Sequence, residues 1–425
     1  MITPEEFPYI KSLYVNDCYA YKDFNIELHD YKPFSHLILT GKNGSGKSTI
    51  LRIINNHISS WRGKTAFLNG AIDPIQQVAE LKSSIKSRSS KQGMNDSTVR
   101  TWKTKLSELE RILPTYVVPV DTIWTQNKTQ LIYSHLKAKR NSEVSPVSTV
   151  TKETDFTNEL QNSDSTETFI KQFKQYLVNK KVYQAFDQLE NDKTRLSESE
   201  AFFSKLTTAF RSIFEDENLS LVFVRENFEF FLQLSDGRQL TFDVLSEGFS
   251  ALLSILMDLF MRVDLIRKQV NDYSYNPCGI VLIDEPETHL HLQLQEQVLP
   301  LLTSLFPNIQ FIAATHSPAV IASIKNATIF DLTTKESRIS EETAGRSYSD
   351  LMMSHFELNN EYSDIADGII AQVNNVLATL GDKPTEMKDA LQAIYDENSD
   401  YLSPTLKVEL ELLIAQQEAQ QTAHQ

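Results

Sequence analysis

The chain has 425 residues, a formal net charge of −15 and only two cysteines, Cys18 and Cys278. That length supports a large core of one composite domain with appendages, and two cysteines exclude both a disulfide framework and a paired-cysteine zinc hook. The acidic balance excludes a general affinity for polyanions, so any nucleic-acid contact has to come from a local basic patch.

The chain opens on Met1-Ile-Thr-Pro-Glu-Glu, acidic and polar rather than a secretory leader, which points to a cytoplasmic protein. Ile10–Leu28 reads as a pair of strands, in which Tyr14, Tyr19 and Tyr21 either pack on the pleated surface or stack on a base. Leu37-Ile-Leu39 reads as a short buried strand and Ile50–Asn55 as the start of a helix. Between them Gly41-Lys-Asn43-Gly44-Ser45-Gly46-Lys47-Ser48-Thr49 fits the phosphate-cradling pattern G-x-x-x-x-G-K-[ST]. Glycines let backbone N–H groups curl around an anion, and the helix start adds partial positive charge. In such a loop Lys47 reaches the β- and γ-phosphates of ATP and the Ser48 hydroxyl ligates Mg²⁺.

Between about Asn69 and Leu219 an insertion interrupts this pattern. Ile75–Ile112 has helical spacing and many charges, and Thr115–Asp121 reads as a core strand returning to the sheet. Lys82, Lys86, Arg88, Lys91, Arg100, Lys103 and Lys105 form either a phosphate-backbone patch or a solvated helix face, since Glu80, Glu108 and Glu110 are interspersed. Gln126 is a candidate glutamine-loop residue or a surface polar group. Residues 141–168 are rich in Ser, Thr, Asn and acid and predict a mobile surface loop. Helices follow over Phe169–Leu189 and Glu198–Phe214, then a hairpin from Leu219–Val224 and Phe228–Leu234.

Leu245-Ser246-Glu247-Gly248-Phe249 precedes an apolar helix from about Ser250 to Val263, too short to span a membrane and interrupted by Asp258 and Arg262. Gly279–Ile283 reads as a buried parallel strand that ends in Asp284-Glu285-Pro286-Glu287, where open α/β sheets place their ligands. Asp284 is placed to hold the Mg²⁺ shell and Glu285 to polarise an attacking water. A helix near Leu290–Leu302 comes next, then a second strand, Phe311-Ile-Ala-Ala-Thr, that ends at His316. His289 and His291 lack a third ligand at zinc spacing and read as turn residues. Beyond Phe330 the sequence predicts helices at 345–353, 364–380, 386–395 and 405–415, then a frayed polar tail from Gln416.

The order of phosphate loop, L-S-x-G, D-E-P-E and T-H-S-P resembles the ABC-type P-loop ATPases of the Rad50/RecF/OLD-like group over roughly residues 8–70 and 220–332. Asp284-Glu-Pro-Glu-Thr-His-Leu-His291 is similar to the D-E-P-E-x-H-L-H wording of prokaryotic OLD-like ATPases, and Lys137-Ala-Lys-Arg140 loosely resembles their basic A-x-R turn. The resemblance implies an α/β fold: an ABC-type ATPase head with a mixed β-sheet (1–70 and 219–332), an inserted helical lobe (71–218) and a helical C-terminal region (333–425). It implies that Ser246 and Gly248 contact the γ-phosphate of ATP on a second subunit, that Glu285 is the general base and that His316 is the switch residue. Glu247 replaces the first glycine of the transporter-type signature, and Leu292 stands where the family usually has proline.

OLD nucleases carry a TOPRIM domain after the last ATPase strand; this chain has no D-x-D strand end there, which implies no nuclease of its own. That architecture resembles the ATPase subunits of Septu and retron anti-phage systems, the PtuA type, and also the PARIS ATPase. The implied partners are a second copy of the chain, a separate HNH or TOPRIM nuclease, and a retron reverse transcriptase with its RNA–DNA. A RecF-like repair ATPase that binds DNA directly, and a slowly hydrolysing scaffold, are the alternatives.

Overall fold

The structure is a computed structural model and describes residues 1–18, 21–62, 80–88, 97–112, 115–118, 128–140, 144–152, 156, 166–242, 245–356, 364–380 and 383–423. In chain order the first elements are β1 (Ser12–Cys18), β2 (Tyr21–Glu27), β3 (His36–Thr40), α1 (Lys47–Arg62), α2 (Ser97–Ile112), β4 (Thr115–Val118) and β5 (Ile132–Leu136). Next come the helices α3 (Thr166–Glu190) and α4 (Lys193–Phe214) and the strands β6 (Ser220–Val224), β7 (Glu229–Gln233) and β8 (Gln239–Leu240). The remaining core elements are α5 (Glu247–Val270), β9 (Gly279–Asp284), α6 (Leu292–Leu305), β10 (Ile309–Ala314), α7 (Pro318–Ser323), β11 (Ala327–Asp331) and β12 (Glu336–Ile339).

Unbroken apolar runs have no polar face to offer water, so they become strands covered on both sides. β3, β10 and β11 are buried along their whole length, and β9 along all but Asp284. Among the described residues they form a mixed sheet in the order β12-β11-β3-β10-β9-β5, parallel except for β12. The register sets Ala314 opposite both Leu39 and Asp284, Leu136 opposite Ile283, and Asp331 opposite Thr40. The carboxyl ends of five strands are therefore level along one edge. The opposite layer is an antiparallel sheet, β2-β1-β4, and a shared core of Val15, Ile26, Leu39, Ile50, Ile54 and Leu282 lies in this part of the molecule.

Two details differ from the sequence expectation. Thr115–Val118 is a strand, but it pairs with β1 in the antiparallel sheet. The insertion returns to the parallel sheet through β5 instead, which pairs with β9. Ser134 and His135 break the apolar pattern of β5 and hide it from a sequence reading, although Ser134 is fully buried. Residues 119–121 and Gln126 lie outside the described residues, as does most of 141–168. Within that stretch 144–152 is fastened to α3: Ser145 N donates to Lys171 O, and Asn179 bonds both backbone and side chain of Thr151.

α5 begins at Glu247, three residues before the expected start, and runs on to Val270. It is buried almost all round between α3, α4 and the sheet, as a helix with apolar residues on every face has to be. Its two interrupting charges face each other: Arg262 Nε donates to Asp258 Oδ1 at 2.9 Å, with side-chain exposures of 1% and 0%. The Arg262 guanidinium also lies 4.1 Å above the Phe169 ring. A second buried pair, Lys180 and Asp264 at 2.6 Å, ties α3 to α5. No helix among the described residues is long and apolar enough to cross a membrane.

The chain divides into compact units at Met1–Leu351 and Met352–Gln425, with the helix α8 (Tyr348–Phe356) running across the division. The second unit packs α9 (Asp364–Thr379), α10 (Pro384–Asn398) and α11 (Pro404–Ala423) around Ile369, Leu391 and Leu410. The polar tail is not frayed from Gln416. α11 continues to Ala423, because Gln, Glu and Ala are strong helix formers even without an apolar face.

Asp258→Ala leaves Arg262 as an uncompensated buried cation and is expected to cost about 3–5 kcal/mol of stability. Joint replacement of the pair by Leu and Met is expected to cost less, and urea denaturation of the two variants checks the order.

Candidate nucleotide-binding site

The loop after β3 turns through Gly41, Gly44 and Gly46 at φ of 126°, 79° and 99°, a region that side-chain-bearing residues rarely enter. At Gly41 a Cβ would also come within 2.9 Å of Thr333 Oγ1, so the loop is pressed against the end of β11. Asn43 and Gly44 are exposed at the tip, while the Ser45 hydroxyl is buried with no hydrogen-bond partner among the described residues. Thr49 is half-buried in the first turn of α1, which begins at Lys47.

Lys47 folds back into the loop: its Nζ donates to Gly41 O at 2.8 Å and Lys42 O at 3.0 Å. Burial lowers its pKa to about 8, against the upward pull of Glu285, Asp284, Glu287 and Asp331. The Ser48 hydroxyl donates to Asp284 Oδ1 at 3.1 Å, joining the loop to the end of β9 across the intervening β10. Burial raises the Asp284 pKa and the Ser48 hydrogen bond opposes it. Ser48 and Asp284 thus bring two hard oxygen donors together, the donor type that Mg²⁺ takes.

Glu285 adopts φ 50°, a left-handed conformation that costs a non-glycine residue on the order of 1–3 kcal/mol. Its N–H donates to Ala314 O at 2.8 Å, and its carbonyl accepts from Thr288 Oγ1 at 2.8 Å. Two residues on, Glu287 Oε1 accepts from the Thr315 hydroxyl and from His316 N, both at 2.7 Å. Burial raises the Glu287 pKa and, with the Lys47 charge, lowers that of His316, which favours the neutral imidazole. The structure therefore brings Lys47, Ser48, Asp284, Glu285 and His316 to one end of the sheet, and adds Glu287 as the link between the D-E-P-E turn and the histidine. Its signal was the second glutamate of that motif.

Arg140 also belongs to this group. Its guanidinium donates to Asp284 O at 2.6 Å, Glu285 O at 2.8 Å and Lys137 O at 2.7 Å. Among the described residues no group of three or more His, Cys, Asp and Glu is placed to hold a metal ion by itself, and His289 and His291 form no such cluster.

A family described as "AAA domain, putative AbiEii toxin, Type IV TA system" matches residues 37–322, from the strand before the phosphate loop to the helix after His316. The chain belongs to this family. Among curated proteins it is similar to "Septu protein PtuA" of Bacillus thuringiensis, 25% identical over 294 residues, which is 67% of this chain and 66% of that protein. It is also similar to "Retron Ec83 probable ATPase" of Escherichia coli, 42% identical over 89 residues, 20% of this chain and 16% of the relative. The chain thus spans less than two-thirds of the length of each. A solved Smc head domain of Pyrococcus furiosus, bound to the C-terminal domain of ScpA, aligns over 80% of this chain and 98% of its own at 14% identity. Its TM-score of 0.35 is too low to bear on fold or function.

In this member of the family the L-S-E-G segment makes a contact of its own. Ser246 is the exposed N-cap residue of α5 and makes no side-chain cap bond. Gly248 lies under the turn that follows Glu287: a Cβ there would come within 2.3 Å of His289 O. His289, at φ 61°, reaches Glu247 at 3.5 Å, and the Phe249 ring meets His291 edge-on at 6.4 Å while stacking on Phe214 at 4.6 Å. Among the described residues no hydrogen bond joins Ser246 or Gly248 to Lys47, Ser48 or Asp284 of the same chain. Gly248 is thus required within one chain, whatever it meets across an interface.

Gly248→Ala is expected to destabilise the nucleotide-free protein by about 1–3 kcal/mol, since backbone has to move to admit the methyl group. Chemical denaturation without nucleotide checks this; an unchanged midpoint would leave only a role between subunits.

Proposed function

We propose that the chain is an ATPase whose heads pair around ATP and govern a separate nuclease effector in prokaryotic anti-phage defence. The observation that carries the nucleotide reading is the Ser48–Asp284 hydrogen bond of 3.1 Å beneath a loop that holds Lys47 between its own carbonyls. Ser48 and Asp284 would hold Mg²⁺, which supplies charge neutralisation at the β- and γ-phosphates. Lys47 binds the triphosphate, and the N–H groups of residues 44–49 at the start of α1 orient it. Glu285 accepts a proton from the attacking water. His316, tethered through its N–H to Glu287, registers the γ-phosphate. Ser246 of the partner subunit, exposed at the start of its helix, completes the sandwich.

The defence reading rests on what the relatives are called, a retron ATPase and a Septu protein. It extends to an HNH or TOPRIM nuclease as effector and, in a retron setting, to a reverse transcriptase with its RNA–DNA.

Lys47→Ala is expected to abolish ATP binding. Glu285→Gln is expected to bind ATP, lower turnover by about 100-fold or more, and run as a dimer with ATP in light scattering. That variant, recovered from its source cell, is expected to bring down a nuclease identified by mass spectrometry. DNA with repair proteins alone would replace the defence reading by a RecF-like one, and a monomer with ATP bound would remove the sandwich.

Burial holds Lys47 near pKa 8 in the nucleotide-free protein, so its charge is present below that pH and lost above it. A bound triphosphate keeps the proton on. ATP affinity is expected to fall between pH 7 and pH 9, with proton uptake on binding near pH 8. Calorimetry in buffers of different ionisation enthalpy measures both, and an affinity that rose with pH would contradict the assignment.

A further inference from the structure

Arg140 is the residue whose chemistry the site leaves unexplained. It lies just beyond β5, the strand by which the inserted segment rejoins the parallel sheet, and β5 pairs with β9 in register up to Leu136 opposite Ile283. The turn after β5 therefore stands beside the turn after β9. From there the guanidinium spans two consecutive carbonyls, Nη1 donating to Asp284 O at 2.6 Å and Nη2 to Glu285 O at 2.8 Å, while Nη1 also donates to Lys137 O at 2.7 Å. A planar fork is suited to this; a lysine ammonium is a point charge and cannot hold both carbonyls in one plane.

The peptide that Arg140 grips is the strained one. Glu285 is at φ 50°, and its backbone is held by Glu285 N to Ala314 O and, at its carbonyl, by Thr288 N, Thr288 Oγ1 and Arg140 Nη2. A residue keeps such a conformation only when its surroundings over-determine it. Burial lowers the Arg140 pKa to about 10, so the group stays charged at neutral pH beside Glu287, Asp284 and Glu285. It does not touch nucleotide through the hydrogen bonds described, all of which go to backbone.

We propose that Arg140 is a positioning residue: it clamps the Asp284–Glu285 backbone so that the Glu285 carboxylate is aimed for hydrolysis, and it makes turnover depend on where β5 ends. This rests on the reading of Glu285 as the base. It predicts a defect in the chemical step with nucleotide binding preserved.

The test compares Arg140→Ala, Arg140→Lys, Glu285→Gln and the Arg140→Ala/Glu285→Gln double variant for ATP affinity, KM and kcat, with thermal melting as a fold control. Arg140→Ala is expected to lower kcat on the order of 100-fold, the scale of a misplaced catalytic group, with ATP affinity and KM within about threefold of the parent. Arg140→Lys is expected to recover only part of the loss. In the Glu285→Gln background Arg140→Ala is expected to add nothing, because both act through one group.

An unchanged kcat in Arg140→Ala, or a full multiplication of the two defects, overturns the proposal. So does full activity in Arg140→Lys, which would reduce the role to charge. If Arg140→Ala fails to fold, the same criteria are read on Arg140→Lys with and without Glu285→Gln. A Glu285→Gln variant that turns over like the parent overturns the base assignment and this proposal together; a slow Glu285→Gln beside a normal Arg140→Ala overturns this proposal alone.

Discussion

Everything at the candidate site depends on the parallel register of four neighbouring strands. β10 sets Ala314 level with Leu39 on one side and Asp284 on the other, and β9 sets Ile283 level with Leu136. Because the ends are level, turns that leave different strands meet: Ser48 reaches Asp284, Glu285 N reaches Ala314 O, and Arg140 reaches Asp284 and Glu285. A slip of one residue in any of these pairings would also invert every side chain of a strand buried on both faces. The apolar core is thus what fixes the register, and with it which groups meet at the rim.

Within that rim the carboxylates and cations are arranged against burial. Lys47, Asp284 and Glu287 each have the charged form disfavoured by loss of water, and each is partly compensated by a neighbour of the same group. A triphosphate with its cation would enter a set of charges that lack full solvation and are already oriented, which is where electrostatic interactions count most. The helical side of the molecule uses the same principle for a different end. There Asp258–Arg262 is an enclosed pair within α5, and the enclosed pair Lys180–Asp264 holds α5 against α3.

The fold and the phosphate loop were legible in the sequence for reasons that can be traced to particular residues. Gly41, Gly44 and Gly46 had to be glycine because of their dihedral angles, and such a demand leaves its mark on residue type. The apolar runs Gly279–Ile283 and Phe311–Ala314 announced buried strands, and the acids after the first and Thr315-His316 after the second announced their ends. β5 was hidden because Ser134 and His135 look polar in a list of letters, while burial forces them into the sheet and pushes the His135 pKa down to about 4. Arg140 was legible only as a basic turn, since a guanidinium that binds main-chain carbonyls imposes no partner residue type. Gly248 pointed to a phosphate contact, yet the clearance that excludes a side chain there is set by the backbone of His289 in the same chain.

The strand order also governs the birth of the protein. β3 lies between β10 and β11, and its neighbours are made roughly 270 and 290 residues after it. At 5–20 residues per second a ribosome takes roughly 15 to 50 seconds to supply them. Until then Leu37-Ile-Leu39 lacks both of its sheet partners, and an apolar segment with unpaired backbone is the kind that pairs with whatever strand it meets. The segment that positions the phosphate loop is therefore made well before the strands that shelter it, so yields of folded protein will respond to translation speed and to chaperones that hold extended apolar chain.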